Sequence, residues 1–144
     1  MAETLFDVLK SEHKEITRLR DKAEKDPRRF AEFAEELNTH VHAEEKVFYT
    51  PLKDSAPVHE MVLEGFAEHH VVDLIITDMD RDPAGSDEWQ AKFKVMSENL
   101  DHHIQEEEKE LFPAAEKVLG RQRAVELSRE YSHAEELITS AGRG

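Results

Sequence analysis

The chain has 144 residues, no cysteine, and 33 acidic against 19 basic residues, for a formal net charge of −14. That length suits one domain with a single core, and a charge of that sign repels phosphate backbones, which sets nucleic acid aside as a partner. The missing thiol excludes disulfides, thiolate zinc sites, iron–sulfur clusters and cysteine nucleophiles together.

Apolar residues recur at helical spacing nearly throughout, and turn residues cut the pattern at four places. The first helix is expected near 3–25 and ends at Asp26-Pro27, where Asp caps and Pro opens the next helix. The second runs near 27–52 and stops at Lys53-Asp54-Ser55-Ala56-Pro57. The third spans about 57–81 and ends at Asp82-Pro83-Ala84-Gly85-Ser86. The fourth covers about 87–119, with Pro113 expected to kink or end it early and Gly120 as its C-terminal stop. A fifth helix follows near 121–139. The fold expected is all-α: an up-down-up-down four-helix bundle over residues 1–120, with an additional C-terminal helix and tail (121–144) packing on the bundle or on a partner. No apolar run approaches the length of a membrane span, and the opening residues do not form a signal-peptide pattern. The expectation is a soluble, cytoplasmic protein, monomeric or a homodimer.

Nine histidines are the anomaly of the composition. Four of them lie inside apolar stripes that step by three or four residues. The first stripe is Phe6, Leu9, His13 and Ile16. The second is Phe30, Phe33, Leu37, His40, Glu44 and Val47. The third is Val62, Gly65, His69, Val72, Ile76 and Met79. The fourth is Trp89, Phe93, Met96, Leu100, His103, Glu107 and Leu111. Buried carboxylates and imidazoles make a costly dry core, and a bound cation reverses the sign of that cost.

The polar members also repeat. Leu37, His40, Glu44, Glu45 and Lys46 recur as Leu100, His103, Glu107, Glu108 and Lys109, each displaced by 63 residues. Glu12 and His13 recur as Glu68 and His69, displaced by 56. A His and a Glu four apart share one helix face. The midpoint of His13 and His40 is 26.5, that of His40 and His69 is 54.5, and that of His69 and His103 is 86. Each falls in a turn assigned from other residues, so the four histidines sit at one height in an antiparallel bundle. Four imidazoles and two carboxylates suit iron, manganese or zinc. Two carboxylates can bridge a metal pair and leave open positions for a small ligand.

The ordered set resembles the hemerythrin-like (HHE cation-binding) family. It consists of Glu12-His13, His40-x-x-x-Glu44-Glu45, Glu68-His69 and His103-x-x-x-Glu107-Glu108, followed by Leu111-Phe112-Pro113, and covers about residues 5–115. The resemblance implies a four-helix bundle around two non-haem iron ions, with manganese or zinc as substitutes. His13, His40, Glu44, His69, His103 and Glu107 are then the ligands, and Glu44 and Glu107 the bridges. It implies a small diatomic or peroxide ligand: O2, hydrogen peroxide or nitric oxide. Peroxide decomposition is the expected enzyme activity, with a non-enzymatic iron or oxygen binding or sensing module as the alternative. Oxygen-carrying members place a second His four residues after the third-helix ligand. Asp73 stands there instead, which argues against simple O2 carriage. The longer iron–sulfur repair members bear cysteine, which is absent here. The ferritin-like class needs two Glu-x-x-His pairs, and only Glu130-x-x-His133 occurs.

His42, His59, His70, His102 and His133 lie beside or off these faces and are expected at the surface. Glu45 and Glu108 are candidates to hold a ligand imidazole. Tyr49 is expected as a core aromatic, with a phenol that reaches the metal or relays a proton as the sharper alternative. Leu9, Phe33, Leu37, Val72, Met96 and Leu100 would form an apolar collar.

Overall fold

The computed structural model describes residues 2–143, with side chains through 141, so positions 1 and 144 at the expected limits lie outside the described residues. It is all-helical, and no strand occurs among the described residues. Helix α1 is Leu5–Lys25, opened by a reciprocal cap in which Thr4 and Asp7 each accept the other's backbone N–H. Asp26 ends it and caps the 3-10 turn Pro27–Arg29, accepting from the Arg28 amide. Helix α2 is Phe30–Glu44. Helix α3 is His59–Met79. Helix α4 is Asp87–Glu106, capped by the Ser86 hydroxyl. Helix α5 is Arg121–Arg143.

Two features differ from a plain helical reading. Past α2 and α4 the helical path does not break off at Glu44 or Glu107. Each passes into a π turn, Glu45–Tyr49 after α2 and Glu107–Leu111 after α4, and resumes as Thr50–Leu52 and Phe112–Leu119. Pro113 therefore does not end the helix. It falls at the start of the resumed segment, where a missing N–H costs little. This helix then stops at Gly120, whose φ of 79° lies in the left-handed region that favours glycine.

α1 pairs with α2, and α3 with α4, so the repeated helical hairpins are also the packing units. The sequence stripes face inward. All their members are buried except Phe30 and Ile76, which are half-buried. Two apolar clusters fill the bundle. One includes Leu9, Val47, Phe48, Val62, Leu111 and Phe112. The other includes Ile16, Leu37, Val72, Phe93, Met96 and Leu100. Along every helix the His and Glu of the stripe fall between the two, so a polar layer is sandwiched by apolar ones. The proposed collar residues are all buried, five in the second cluster and Leu9 in the first.

α5 lies against α1 and α2. Its face of Ala124, Leu127, Tyr131 and Ala134 is buried in the first cluster, with Ile138 packed at the edge. No helix is long and apolar enough to cross a membrane among the described residues.

Candidate metal centre

The polar layer brings together all six side chains read from the spacing. His13, His40, Glu44 and Glu107 offer atoms within 4.8 Å of one another, and so do Glu44, His69, His103 and Glu107. The two groups share both carboxylates. His13 Nε2 lies 3.1 Å from Glu107 Oε1, and His69 Nε2 lies 3.1 Å from Glu44 Oε1. The Nε2 atoms of His69 and His103 are 3.1 Å apart. All six residues are buried, with Glu44 fully so.

Each histidine is held from behind by a carboxylate. His13 Nδ1 donates to Glu108 (2.6 Å), and His40 Nδ1 to Glu12 (2.8 Å). His69 Nδ1 donates to Glu45 (2.9 Å), and His103 Nδ1 to Glu68 (2.7 Å). A proton fixed on Nδ1 leaves the Nε2 lone pair aimed inward, the arrangement that orients imidazole toward a metal. The pairing obeys the repeat: His40–Glu12 maps onto His103–Glu68, and His13–Glu108 onto His69–Glu45. Glu45 and Glu108 thus do orient ligand imidazoles.

Four inward-facing atoms of this layer are buried with no hydrogen-bond partner: His13 Nε2, both oxygens of Glu44, and Glu107 Oε1. Orphaned acceptors of this kind cost about 1–3 kcal/mol each, and more when charged. Their convergence on shared points is the arrangement a cation relieves, and nitrogen and oxygen donors without sulfur suit iron, manganese or zinc. Without a cation, protons take its place. Burial alone would lower His13, but Glu107, Glu44 and Glu108 hold it up at about 9. Burial is likewise overcome at His69 by Glu44 and Glu45, and at His103 by Glu107 and Glu68, so both titrate above the usual range. Glu107 is held well below the usual carboxylate range despite its burial, by His103 and His13.

Tyr49 reaches the centre. Its hydroxyl donates to Glu107 Oε2 and lies 3.5 Å from His103 Nε2. The ring stacks on His69 at 5.1 Å and 11°. In a straight α-helix Tyr49 would point away from Glu44, because five residues at 100° leave it about 140° round. The π turn, which bonds i to i+5, restores the alignment. The repeat partner of Tyr49 is Phe112, which stacks on His13 at 6.0 Å and 9° and brings no hydroxyl. The helix facing Tyr49 carries Gly65, whereas Leu9 occupies the matching place in the other half. A Cβ on Gly65 would stand 2.6 Å from the Tyr49 oxygen. The two halves are therefore alike in their histidines and carboxylates and unlike in this phenol.

Sequence reasoning missed Tyr131. In the sequence it is one position of the fifth helix's apolar stripe, with Ala124, Leu127, Ala134 and Ile138. Its hydroxyl donates to Glu12 Oε1 (2.5 Å) and lies 3.1 Å from His40 Nδ1. Glu135 faces the same carboxylate. Burial and the Glu12 charge push Glu135 up to about 9, so at neutral pH it is a proton donor to Glu12. Asp73 is exposed and does not join the two ligand groups. His42, His70, His102 and His133 are exposed, and His59 is half-buried with Nδ1 bonded to the Lys53 carbonyl.

Comparison with curated proteins and with solved structures returns no significant match. The family model for the hemerythrin HHE cation-binding domain matches residues 4–115, which ends before α5 begins. With that match over most of its length and a buried His/Glu cluster at the centre of its bundle, the chain belongs to the hemerythrin HHE cation-binding family, whose members bind metal ions, typically iron.

Proposed function

We propose that this protein is a non-haem di-iron protein that reacts with a small oxidant: O2, hydrogen peroxide or nitric oxide. His13 and His40 would serve one metal position and His69 and His103 the other, with Glu44 and Glu107 shared between them. The observation that carries this is the pair of four-residue donor groups with both carboxylates in common, three of whose four oxygens have no hydrogen-bond partner. Iron ranks ahead of manganese and zinc, since the family typically binds iron.

When bound, a pair of iron ions supplies one-electron oxidation and reduction at each position, which is what peroxide decomposition needs. The chain's own residues do the rest. Glu108, Glu12, Glu45 and Glu68 keep the four Nδ1 protons in place, so every imidazole presents Nε2 to the centre. Tyr49 holds a proton on its hydroxyl against Glu107 Oε2, on the His69/His103 side only. Burial, with Glu107 and Glu44 beside it, pushes the phenol well above its usual range, so it stays protonated at all working pH values. It is a donor, not a phenolate. The apolar layers above and below limit water around the centre.

The test is oxygen evolution on adding hydrogen peroxide to the iron-loaded protein, beside His40→Ala and Glu107→Ala variants. Turnover that disappears in both variants supports the catalytic reading. Tight nitric oxide or O2 binding with no turnover would assign the chain as a binding or sensing module. Full turnover in either variant would refute the proposed ligand set.

A further inference from the structure

The repeat gives the bundle two matching seams beside the centre, α1 against α4 and α2 against α3, and they are built differently. The α1/α4 seam is clamped. Buried Arg20 donates to Asp101 across it at 2.5 Å. The same offsets of 56 and 63 residues carry Arg20 to Ile76 and Asp101 to Asn38. Neither can make an ion pair, and at that place a cleft of about 740 Å³ opens between α2 and α3.

Its floor is the centre itself, since all four histidines line it. Buried Ile16, Leu37, Val72 and Leu100, with half-buried Ile76 and Phe66, make its walls. Glu35, Asp73, His42 and His70 stand exposed at its rim. No Lys or Arg lines it among the described residues. A diatomic gas or hydrogen peroxide needs about the space of one or two waters, some 30 Å³ apiece. A cleft of about 740 Å³ falls instead in the range of roughly 300–1,000 Å³ that organic ligands occupy. In the metal-free protein, Glu35 and Asp73 at the rim, Glu45 and Glu68 deeper in, and the lack of a basic partner work against carboxylates and phosphates, which would lose hydration without gaining a counter-charge.

We propose that the α2/α3 cleft binds an uncharged organic molecule with an apolar body and a hydroxyl or hydroperoxide head that faces the histidines. This rests on the metal reading for the partner of the head group, but the cleft is a property of the chain. The oxidant acted on would then be an organic hydroperoxide, two molecules of which give two of the alcohol and one of O2, so that no outside reductant enters the balance.

The probe is cumyl alcohol, with benzoate as an anion of similar size, titrated into the purified protein with and without iron and followed by amide chemical shifts and calorimetry. Saturable shifts at the cleft lining, largest in α2 and α3 around Asn38, His42, His70 and Ile76, are expected, with benzoate weaker by about tenfold or more in the metal-free protein. Asn38→Asp with Ile76→Arg transplants the clamp of the closed seam and should weaken cumyl alcohol by about tenfold or more, with iron content and the response to hydrogen peroxide unchanged. Ile76→Trp fills the cleft without a charge and should do the same, so a misfolded clamp variant does not decide the matter. Equal binding of cumyl alcohol to these variants, equal binding of benzoate to the metal-free protein, or no saturable shifts would overturn the proposal. Cumyl alcohol binding in the cleft of a protein that takes up no iron would leave the cleft standing and sink the metal reading instead.

Discussion

Gly65 is the position at which the two halves of the centre diverge most sharply, and Gly65→Ala tests why. In mid-helix α3 the substitution should stabilise, by about 0.5–1 kcal/mol of helix propensity. The structure predicts the opposite. The new Cβ would meet the Tyr49 hydroxyl at 2.6 Å, its Cζ at 2.7 Å and its Cε2 at 2.8 Å. Ordinary contact begins near 3.4 Å, so the ring must retreat by roughly 0.6–0.8 Å. It has no free direction. Tyr49 is 0% exposed, stacked on His69, set edge-on to Phe66 and bonded to Glu107. Overpacking in such a site costs about 1–3 kcal/mol, which exceeds the propensity gain and leaves a net loss of about 1–2 kcal/mol. Thermal unfolding of the metal-free protein should show a Tm lower by roughly 3–6 °C. In a Tyr49→Ala background the clash is gone, and the same Gly65→Ala change should be neutral or stabilising. A double-mutant cycle of unfolding free energies measures the difference. If Gly65→Ala stabilises the parent as much as it does the Tyr49→Ala variant, then Tyr49 is not what requires glycine, and its proposed place against Glu107 fails with it.

Three further outcomes follow from the same geometry. His13 titrates near 9 in the metal-free fold against 6.5 for the free side chain, so its stabilisation is complete below about 6.5 and is lost as pH rises through 9. Metal-free Tm should therefore decline across that window, while iron affinity measured by competition with a chelator should rise, because metal needs the imidazole without its inward proton. Glu44→Met removes a buried carboxylate with two unpartnered oxygens. Because Glu44 faces the protonated His69 and His13 in the metal-free fold, the variant should melt below the parent near neutral pH and gain nothing in Tm on adding iron; a metal-free variant as stable as the parent would show that Glu44 is not what holds those histidines protonated. Tyr131→Phe deletes a buried donor to the Glu12 carboxylate, worth about 1.5–3 kcal/mol. It should lower Tm by roughly 5–9 °C and loosen one metal position, read as a faster first phase of iron loss to chelator.

Much of this was legible because metal ligation imposes period, burial and height at once. His40 and Glu44 share a helix face whatever surrounds them, and their copy at His103 and Glu107 doubles the constraint. The carboxylates behind the histidines were half legible. Glu12, Glu45, Glu68 and Glu108 repeat with the ligands, but which Glu meets which His depends on helix pairing. Tyr49 was legible as a core aromatic with a phenol that reaches the metal as the alternative, but what aims it was hidden for a backbone reason. A period of 3.6 turns it away from the centre, and the π turn that turns it back has no marker in the sequence beyond its closeness to Pro51. Tyr131 was hidden because a tyrosine on an apolar stripe reads as packing, and only the seating of α5 over α1 and α2 aims its hydroxyl at Glu12. The seams were hidden for a third reason. Arg20 and Ile76 look unrelated until the offset of 56 is carried past the histidines to the residues that flank them.

The central claim is that Glu44 and Glu107 are each shared by two metal ions. Iron content per folded chain, measured together with anomalous scattering from crystals of the iron-loaded protein, tests it most directly. The account predicts two iron positions roughly 3.5–4 Å apart, one beside His13 and His40 and the other beside His69 and His103. A single ion, or ions bound only by the exposed histidines with the four buried ones unoccupied, would contradict it.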